Sequence, residues 1–254
     1  MTSQLPSLVL SRQKNLTDLE ATLLSVLPHI VPSKTDEDRI LGLAQRVMDD
    51  ITRAVSDTKP PIEVRLEGSV AKGTWLKNHV DLDFFLLAPY RPHINHKEYF
   101  LGILRRIKER LKYDFEERYA EHPYLHTKID DVEVDVVPAF KSPPDNIISS
   151  VDRTPYHTKY VTSRLTPELA NEIRLLKAFL RGIGAYGAEV RTGGLSGYAC
   201  ELLVIHYGSF LRTLEEFSKR KVFFIDMTGT WTVSYTHLRA HETEADLVCR
   251  LLLE

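Results

Sequence analysis

Two short stretches decide the fold of this chain: Gly68-Ser69-Val70-Ala71-Lys72-Gly73-Thr74-Trp75 and Asp81-Leu82-Asp83-Phe84-Phe85. Residues two positions apart in a strand point to the same face, so Asp81 and Asp83 would present their carboxylates together. Two neighbouring carboxylates repel each other unless a cation joins them. Because Mg²⁺ binds through a few carboxylates plus substrate phosphates, the second stretch predicts a magnesium site.

The first stretch begins where a strand is expected to turn into a short helix. The N-terminal amides of a helix can hold a triphosphate. Ser69 could donate its hydroxyl to a phosphate oxygen, and Lys72, one turn later, could reach the same charge. The sequence therefore predicts a phosphate-binding turn directly before the paired aspartates.

A third carboxylate is predicted on a neighbouring strand, where polar and apolar residues alternate from Val132 to Val137. This alternation puts Asp135 on the polar face of that strand. Three carboxylates from two strands can hold two metal ions roughly 3.5–4 Å apart, which clamp the attacking and leaving oxygens of an in-line displacement. The three aspartates are therefore the expected metal ligands of a phosphoryl-transfer site, in which positioning and charge stabilisation supply most of the catalysis.

Each of these motifs has an ordinary explanation when it stands alone. An Asp-x-Asp pair is usually a solvated strand face or a turn, a Gly-Ser pair an ordinary loop, and a single residue such as Asp135 a surface carboxylate. What favours catalysis is the order of the motifs: strand, Gly-Ser turn, helix, Asp-x-Asp strand and later carboxylate strand.

Hydrophobic periodicity predicts an α+β fold. A helix follows Pro32, capped within 35–38, with the apolar stripe Ile40, Leu43, Ala44, Val47, Ile51 and Val55. Further helices are predicted from Thr17 onward and at 99–111, 167–180 and 196–217. Strands are predicted at 62–66, 80–88, 124–129, 132–137 and 222–227.

The Pro-Pro stretch from Lys141 to Asn146 predicts a connection between domains. We expect a catalytic domain at 1–145, with a mixed sheet and flanking helices, followed at 146–231 by the beginning of a helical central domain. Residues 232–254 are expected to be a non-native tail, because they fit translated sequencing adapter interrupted by an index-sized gap. The alternative is an amphipathic C-terminal helix. The adapter reading implies that the chain is truncated.

The composition is that of a globular protein, 43% hydrophobic and 27% charged. The longest apolar run, Phe84 to Ala88, is far shorter than a membrane span, and the N-terminus lacks the apolar core of a signal peptide. Two cysteines cannot form a disulfide framework. These features predict a cytoplasmic protein without a membrane segment, whereas a net charge of −2 neither favours nor excludes nucleic acid as a partner.

The ordered motifs resemble the DNA polymerase β-type nucleotidyltransferase superfamily. Within it, the chain from about Leu27 to Phe224 resembles the archaeal-type CCA-adding enzymes. The segments that carry the resemblance are 66–76, 119–124, 132–138, 150–157, 174–177, 186–189 and 195–203. Poly(A) polymerases and oligoadenylate synthetases share the carboxylates but not the Val-Asp-Arg-Thr-Pro run at 151–155.

The resemblance implies a template-independent RNA nucleotidyltransferase that adds CCA to the 3′ end of tRNA from CTP and ATP, with two Mg²⁺ ions as cofactors. It implies that Asp81, Asp83 and Asp135 are the catalytic metal ligands. It also implies that Ser69 and Lys72 contact the triphosphate, although the family commonly has arginine in place of Lys72. Lysine keeps the charge but lacks the planar fork of arginine.

Three further nucleotide-binding residues are implied by the resemblance alone: His157, Lys177 and Tyr186. Without the resemblance they would be interpreted as a loop histidine, a solvated helix residue and a core aromatic. The expected partner is the 3′ end of tRNA, and the possibility of a homodimer is left open.

Two other functions compete with this interpretation. One is another terminal transferase of the poly(A) polymerase type, which a test of CTP as substrate would distinguish. The other is a non-catalytic RNA-binding module. The clustered carboxylates argue against the module, because an idle site gains nothing from their repulsion.

Overall fold

The structure, a computed structural model, describes residues 5–144, 146–187 and 194–219, with side-chain environments from residue 18 onward. Its elements are α1 (Leu5–Ile30), α2 (Lys34–Val55), β1 (Glu63–Glu67), α3 (Gly68–Lys72), β2 (Asp81–Ala88), α4 (His96–Arg110), β3 (Glu116–Tyr119), β4 (Pro123–Ile129), β5 (Val132–Phe140), a 3₁₀ turn (Ser150–Arg153), α5 (Thr154–Thr162), α6 (Pro167–Gly182), α7 (Gly197–Tyr207) and α8 (Phe210–Lys219).

The strands form a mixed sheet in the order β1-β2-β5-β4-β3. Strands β2 and β5 run parallel, whereas β1 with β2, β5 with β4, and β4 with β3 pair antiparallel. One face of the sheet packs against α2 and α4 in an apolar core that includes Ile40, Phe84 and Phe100. The predicted α+β class, with a mixed sheet and flanking helices, is confirmed.

Helix α2 begins with a capping box, in which Ser33 is the N-cap residue. The amide of Asp36 donates to the Ser33 hydroxyl over 3.2 Å, and the amide of Ser33 donates to the Asp36 carboxylate over 2.9 Å. The predicted stripe of six apolar residues is buried along the helix. The helix therefore begins slightly before the predicted cap at 35–38 and covers the sheet as expected.

A tight turn at Asp130 and Asp131 connects β4 to β5. Both residues have positive φ angles, 50° and 64°, as a two-residue hairpin turn that follows the twist of the strands requires. Aspartate tolerates this conformation better than most residues. The turn fixes the pairing register, which sets His126 opposite Asp135.

Four expectations about elements need correction. Helix α1 begins at Leu5 and not near Thr17, and the helix predicted at 196–217 is two helices, because Gly208 ends α7 with φ 85°. Strand β3 and helix α5 were not predicted. Strand β3 lies at the edge of the sheet and is mostly exposed, so its sequence shows no apolar alternation.

The strand predicted at 222–227 and the tail at 232–254 lie outside the described residues. The domain boundary at residue 145 stays a prediction. Within the described ranges, no helix is long and apolar enough to cross a membrane.

A buried carboxylate joins the end of β5 to the segment that leads into α5. Asp152 is 1% exposed and accepts hydrogen bonds from the amides of Phe140 (2.7 Å) and Ser149 (2.9 Å). The first contact reaches back to the sheet and the second closes the 3₁₀ turn. Asp152 thereby fixes the position of the helix that carries His157.

We expect Asp152→Ala to lower the free energy of unfolding by about 2–4 kcal/mol, because it leaves two buried amides without acceptors. Urea denaturation measures the change. Glu109→Ala on the exposed side of α4 is the control and should stay within about 0.5 kcal/mol of the parent. A loss no larger than in the control would contradict this role of Asp152.

Candidate active site

The strand register places the three predicted aspartates on adjoining strands. In the parallel pair of β2 and β5, Asp83 lies beside Asp135, and Asp81 lies beside Glu133. Paired residues point to the same face, and so do residues two positions apart in one strand. The four carboxylates therefore form two adjacent rows on the face opposite to the α2–α4 core.

The row that contains Asp83 and Asp135 extends to both neighbouring strands. Glu67 at the end of β1 pairs with Asp83, and His126 of β4 pairs with Asp135. Glu67 is buried, and burial raises the pKa of its carboxyl. The row thus places three acidic groups and one histidine side by side.

Asp83 is the most strongly perturbed of the predicted metal ligands. Burial, followed by the nearby charges of Asp135 and Asp81, raises the pKa of Asp83 to about 7. Burial and the charge of Asp135 likewise raise the pKa of Asp81. The cluster therefore resists becoming fully ionised unless positive charge is supplied.

Gly68 allows Asp83 to approach the first turn of α3. A Cβ atom at position 68 would lie 2.0 Å from Oδ2 of Asp83, and Gly68 has a φ of +74°. Glycine is needed for both reasons, since other residues rarely adopt this conformation. The Gly-Ser turn thus begins a short helix, as predicted, and its close packing brings the carboxylate against the helix.

His126 connects two carboxylates of β5. Its Nδ1 lies 2.7 Å from Oδ1 of Asp135, and its Nε2 lies 2.9 Å from Oε2 of Glu133. Sequence reasoning missed this contact, although a hairpin centred on Asp130-Asp131 pairs positions 126 and 135. The histidine holds one oxygen of Asp135 and leaves the other available.

The donor set suits a hard divalent cation, because aspartate oxygens are preferred ligands of such ions. Among the residues that the structure describes, no three acidic, histidine or cysteine side chains are already closed around one point. The strands bring Asp81, Asp83 and Asp135 together on one face of the sheet. Metal binding at these residues stays a prediction.

Lys72 and Lys177 meet at one buried carboxylate. Nζ of Lys72 lies 2.5 Å from Oε2 of Glu201, and Nζ of Lys177 lies 2.8 Å from Oε1. The hydroxyl of Thr74 donates to Oε1 over 2.5 Å. Lys177 is therefore not a solvated helix residue, and Lys72 has an acidic partner that the sequence did not predict.

His157 stacks on Tyr198, with ring centroids 3.9 Å apart and ring planes 10° apart. Burial, together with the positive charges of Lys72 and Arg153, lowers the pKa of His157 to about 3. Its Nε2 atom is buried and has no hydrogen-bond partner within the described parts of the chain. A neutral imidazole next to Lys72 thus retains an unused hydrogen-bonding atom.

Tyr186 and Lys177 both lie close to Gly197, the first residue of α7. A Cβ atom at Gly197 would lie 2.7 Å from the Tyr186 hydroxyl and 3.7 Å from Nζ of Lys177. Burial raises the pKa of Tyr186, and the guanidinium of Arg181 lies 5.3 Å from the centre of its ring. The hydroxyl therefore stays protonated and can donate a hydrogen bond.

Ser69 occupies the second position of α3, directly after Gly68. Its carbonyl accepts a hydrogen bond from the amide of Thr74 over 2.9 Å. Ser69 therefore lies in sequence between the glycine that contacts Asp83 and the threonine that contacts Glu201.

The structure thus brings most of the predicted residues into two neighbouring groups, carboxylates on the sheet and cations near Glu201. Sequence reasoning missed six members of these groups: Glu67, Thr74, His126, Glu133, Tyr198 and Glu201. One signal was available for Glu201, which is the only charged residue in the apolar run from Ala199 to Val204. A charged residue is rarely fully buried without a partner.

The repulsion among the carboxylates should appear in the pH dependence of stability. Because the pKa of Asp83 is about 7 in the folded protein, against 3.8 ordinarily, the folded state retains a proton that the unfolded chain has lost between these values. Stability should therefore fall as pH rises from about 4 to about 7, by on the order of 4 kcal/mol without a divalent cation.

Asp83→Asn should remove this fall and raise the melting temperature at pH 8 in the presence of a chelator. The matched control is Asp131→Asn, because Asp131 is 99% exposed and asparagine tolerates its positive φ. Thermal unfolding across the pH range measures both variants. If the stability of Asp83→Asn depends on pH in the same way as that of the parent, the raised pKa of Asp83 does not cause the fall in stability.

Comparison with known proteins agrees with this architecture. A family model described as nucleotidyltransferase domain matches residues 48–157, and one described as tRNA nucleotidyltransferase, second domain, matches residues 171–247. The second match extends into the predicted tail, so the origin of residues 232–254 stays a prediction.

A solved structure of a cytoplasmic RNA terminal U-transferase is similar in fold, with a TM-score of 0.54 at 17% identity over 75% of this chain and 53% of that one. At this identity the similarity concerns the fold alone.

Two curated relatives are much more similar in sequence. The CCA-adding enzyme of Methanocaldococcus jannaschii is 43% identical over 78% of this chain and 45% of its own length. That of Sulfurisphaera tokodaii is 44% identical over 76% of this chain and 45% of its own length. The chain therefore spans about half the length of these relatives. Over the part that they match, it is similar to these archaeal CCA-adding enzymes.

Proposed function

We propose that this chain is the catalytic part of a template-independent nucleotidyltransferase that adds CCA to the 3′ end of tRNA from CTP and ATP. Its relatives are named CCA-adding enzymes. The observation that carries the proposal is the row of carboxylates beside a buried group of cations. A nucleoside triphosphate with its metal ions needs both, since the phosphates bind the cations and the metals bind the carboxylates.

Asp81, Asp83 and Asp135 would hold the metal, for which we propose two Mg²⁺ ions. When bound, such ions lower the pKa of the attacking 3′-hydroxyl and neutralise the leaving pyrophosphate. His126 would keep Asp135 in place through its 2.7 Å contact. Gly68 would allow Asp83 to lie against α3, where the triphosphate is expected.

The triphosphate would lie at the Ser69 turn. The Ser69 hydroxyl and the first amides of α3 can donate to its oxygens. Lys72 uses one of its three donors on Glu201, so the other donors can reach a phosphate.

Lys177 is more completely engaged, because its ammonium group contacts Glu201, the Thr74 hydroxyl and the Thr74 carbonyl. We propose that Lys177, held in this arrangement, contributes positive charge close to the triphosphate. His157 and Tyr186 would supply the remaining neutral polar contacts, since the histidine is uncharged and the tyrosine hydroxyl is protonated.

We propose that the substrate RNA is tRNA that lacks its terminal CCA. A poly(A) polymerase-like activity differs in its choice of nucleotide, because it would incorporate AMP without requiring CTP. The homodimer stays a prediction.

We expect Asp81→Asn and Asp83→Asn each to reduce nucleotide incorporation by on the order of a thousandfold or more, because each removes a ligand on which charge stabilisation depends. The assay follows labelled CTP and ATP into tRNA from which the CCA end has been removed, with Mg²⁺ present. Circular dichroism checks the fold.

Asp131→Asn is again the control and should incorporate both nucleotides at the parental rate. Near-normal incorporation by either site variant would contradict the metal-ligand assignment. Incorporation of ATP but never CTP by the parent chain would favour the poly(A) polymerase-like alternative.

A further inference from the structure

The two lysines of the candidate nucleotide site share one buried carboxylate, that of Glu201. This side chain is fully buried, and Lys177 is only 2% exposed. Each carboxylate oxygen accepts a hydrogen bond from one lysine, and Oε1 also accepts one from the hydroxyl of Thr74. Glu201 thus joins Lys72 to Lys177.

The charges of this cluster do not cancel. Burial alone would raise the pKa of Glu201, but Lys177 and Lys72 outweigh it and keep that pKa below its ordinary value. Burial lowers the pKa of Lys177, and Glu201 opposes the change. One carboxylate between two ammonium groups gives these three side chains one surplus positive charge, and Glu67 and Asp83, whose pKa values burial raises, lie within electrostatic range of Lys72. Such a charge is costly unless an anion approaches it.

The cluster also collects residues from separate elements. Lys72 ends α3, Lys177 lies in α6 and Glu201 lies in α7. A lysine side chain has a flexible four-carbon stem, so its ammonium group has no fixed place without a partner. Two ammonium groups bound to opposite oxygens of one rigid carboxylate have a fixed separation.

We propose that Glu201 is a positioning residue of the nucleotide site, which fixes Lys72 and Lys177 so that their surplus positive charge faces the triphosphate. The proposal rests on the proposed function. It assigns to Glu201 a role in affinity for the phosphate chain, separate from any contact with the base or the RNA.

A purely structural role, in which Glu201 only connects α7 and α6 to α3, is the alternative. Another residue already makes a connection of this kind: Arg174 of α6 is buried and donates to the carbonyls of Trp75 (2.9 Å) and Gly73 (2.7 Å). Uncharged acceptors suffice for that connection. A carboxylate that binds two lysines costs more to bury, which is expected if the lysines themselves have to be placed.

The direct test is the isosteric variant Glu201→Gln, compared with Glu172→Gln as a matched control. Glu172 lies in α6 and accepts a hydrogen bond from the amide of Phe210 over 2.8 Å. Both variants exchange a partly or fully buried carboxylate for an amide in the helical region. Calorimetric titration with Mg²⁺ present measures ATP, CTP and inorganic tripolyphosphate as separate probes.

We expect Glu201→Gln to weaken the binding of all three probes by about tenfold or more, since charge-assisted contacts to the phosphates are lost. Glu172→Gln should bind them like the parent, even if its melting temperature falls. Glu201→Asp keeps the charge but is one methylene shorter, so it cannot reach both lysines and should give an intermediate loss. If Glu201→Gln does not fold, the aspartate variant carries the test.

A double-mutant cycle shows whether Glu201 acts through Lys177. In a Lys177→Met background, Glu201→Gln should cause clearly less than its tenfold loss. An equal loss in both backgrounds would overturn positioning through this lysine. Unchanged binding of all three probes in Glu201→Gln would overturn the positioning role as a whole. If the parent chain binds no triphosphate, the proposed function itself fails and this inference fails with it.

Discussion

The position of Asp83 beside Asp135 is the constraint on which the rest of the site depends. The parallel pairing of β2 and β5 fixes this neighbourhood through the backbone, so the side chains cannot avoid each other by moving to another face. Partial burial makes the charge of Asp83 costly, and its pKa rises to about 7 for that reason. The glycine at position 68 then becomes necessary, since any larger residue would displace the Asp83 carboxylate. We therefore propose that this part of the sheet gains stability when it receives a cation.

At the candidate site, the helices carry an excess of positive charge, whereas the sheet carries an excess of negative charge. Around Glu201 two lysines meet one carboxylate, and the neutral His157 adds no charge of its own. Lys72 lies in the same short helix that Gly68 begins, and its charge offsets part of the rise in the pKa of Asp83. A metal-bound triphosphate carries both signs and would compensate both groups together. Under the proposed function, this complementarity is the reason why two costly clusters adjoin each other in one small region of the fold.

Much of this arrangement could be predicted from sequence, because it follows from local periodicity. Alternation at Asp81 and Asp83, and again around Asp135, fixes which face each side chain takes. The hairpin turn at Asp130-Asp131 fixes the register. The apolar stripe of α2 fixes the covered face of the sheet.

What could not be predicted depends on contacts between distant segments. The pairing of Lys72 with Glu201 joins residues 129 positions apart, and no periodic pattern encodes such a distance. The stacking of His157 on Tyr198 has the same origin. Strand β3 was missed because an exposed edge strand needs no apolar alternation, and the break between α7 and α8 because a single glycine decides it.

The central claim is that the Asp83–Asp135 row binds a divalent cation together with a nucleoside triphosphate. Titration with Mn²⁺, followed by the electron paramagnetic resonance signal of the free ion, tests it most directly. We expect saturable binding at pH 7.5 that CTP tightens and that is lost when Asp83 and Asp135 are both replaced by asparagine. Binding that survives the double replacement, or no saturable binding with CTP present, would contradict it.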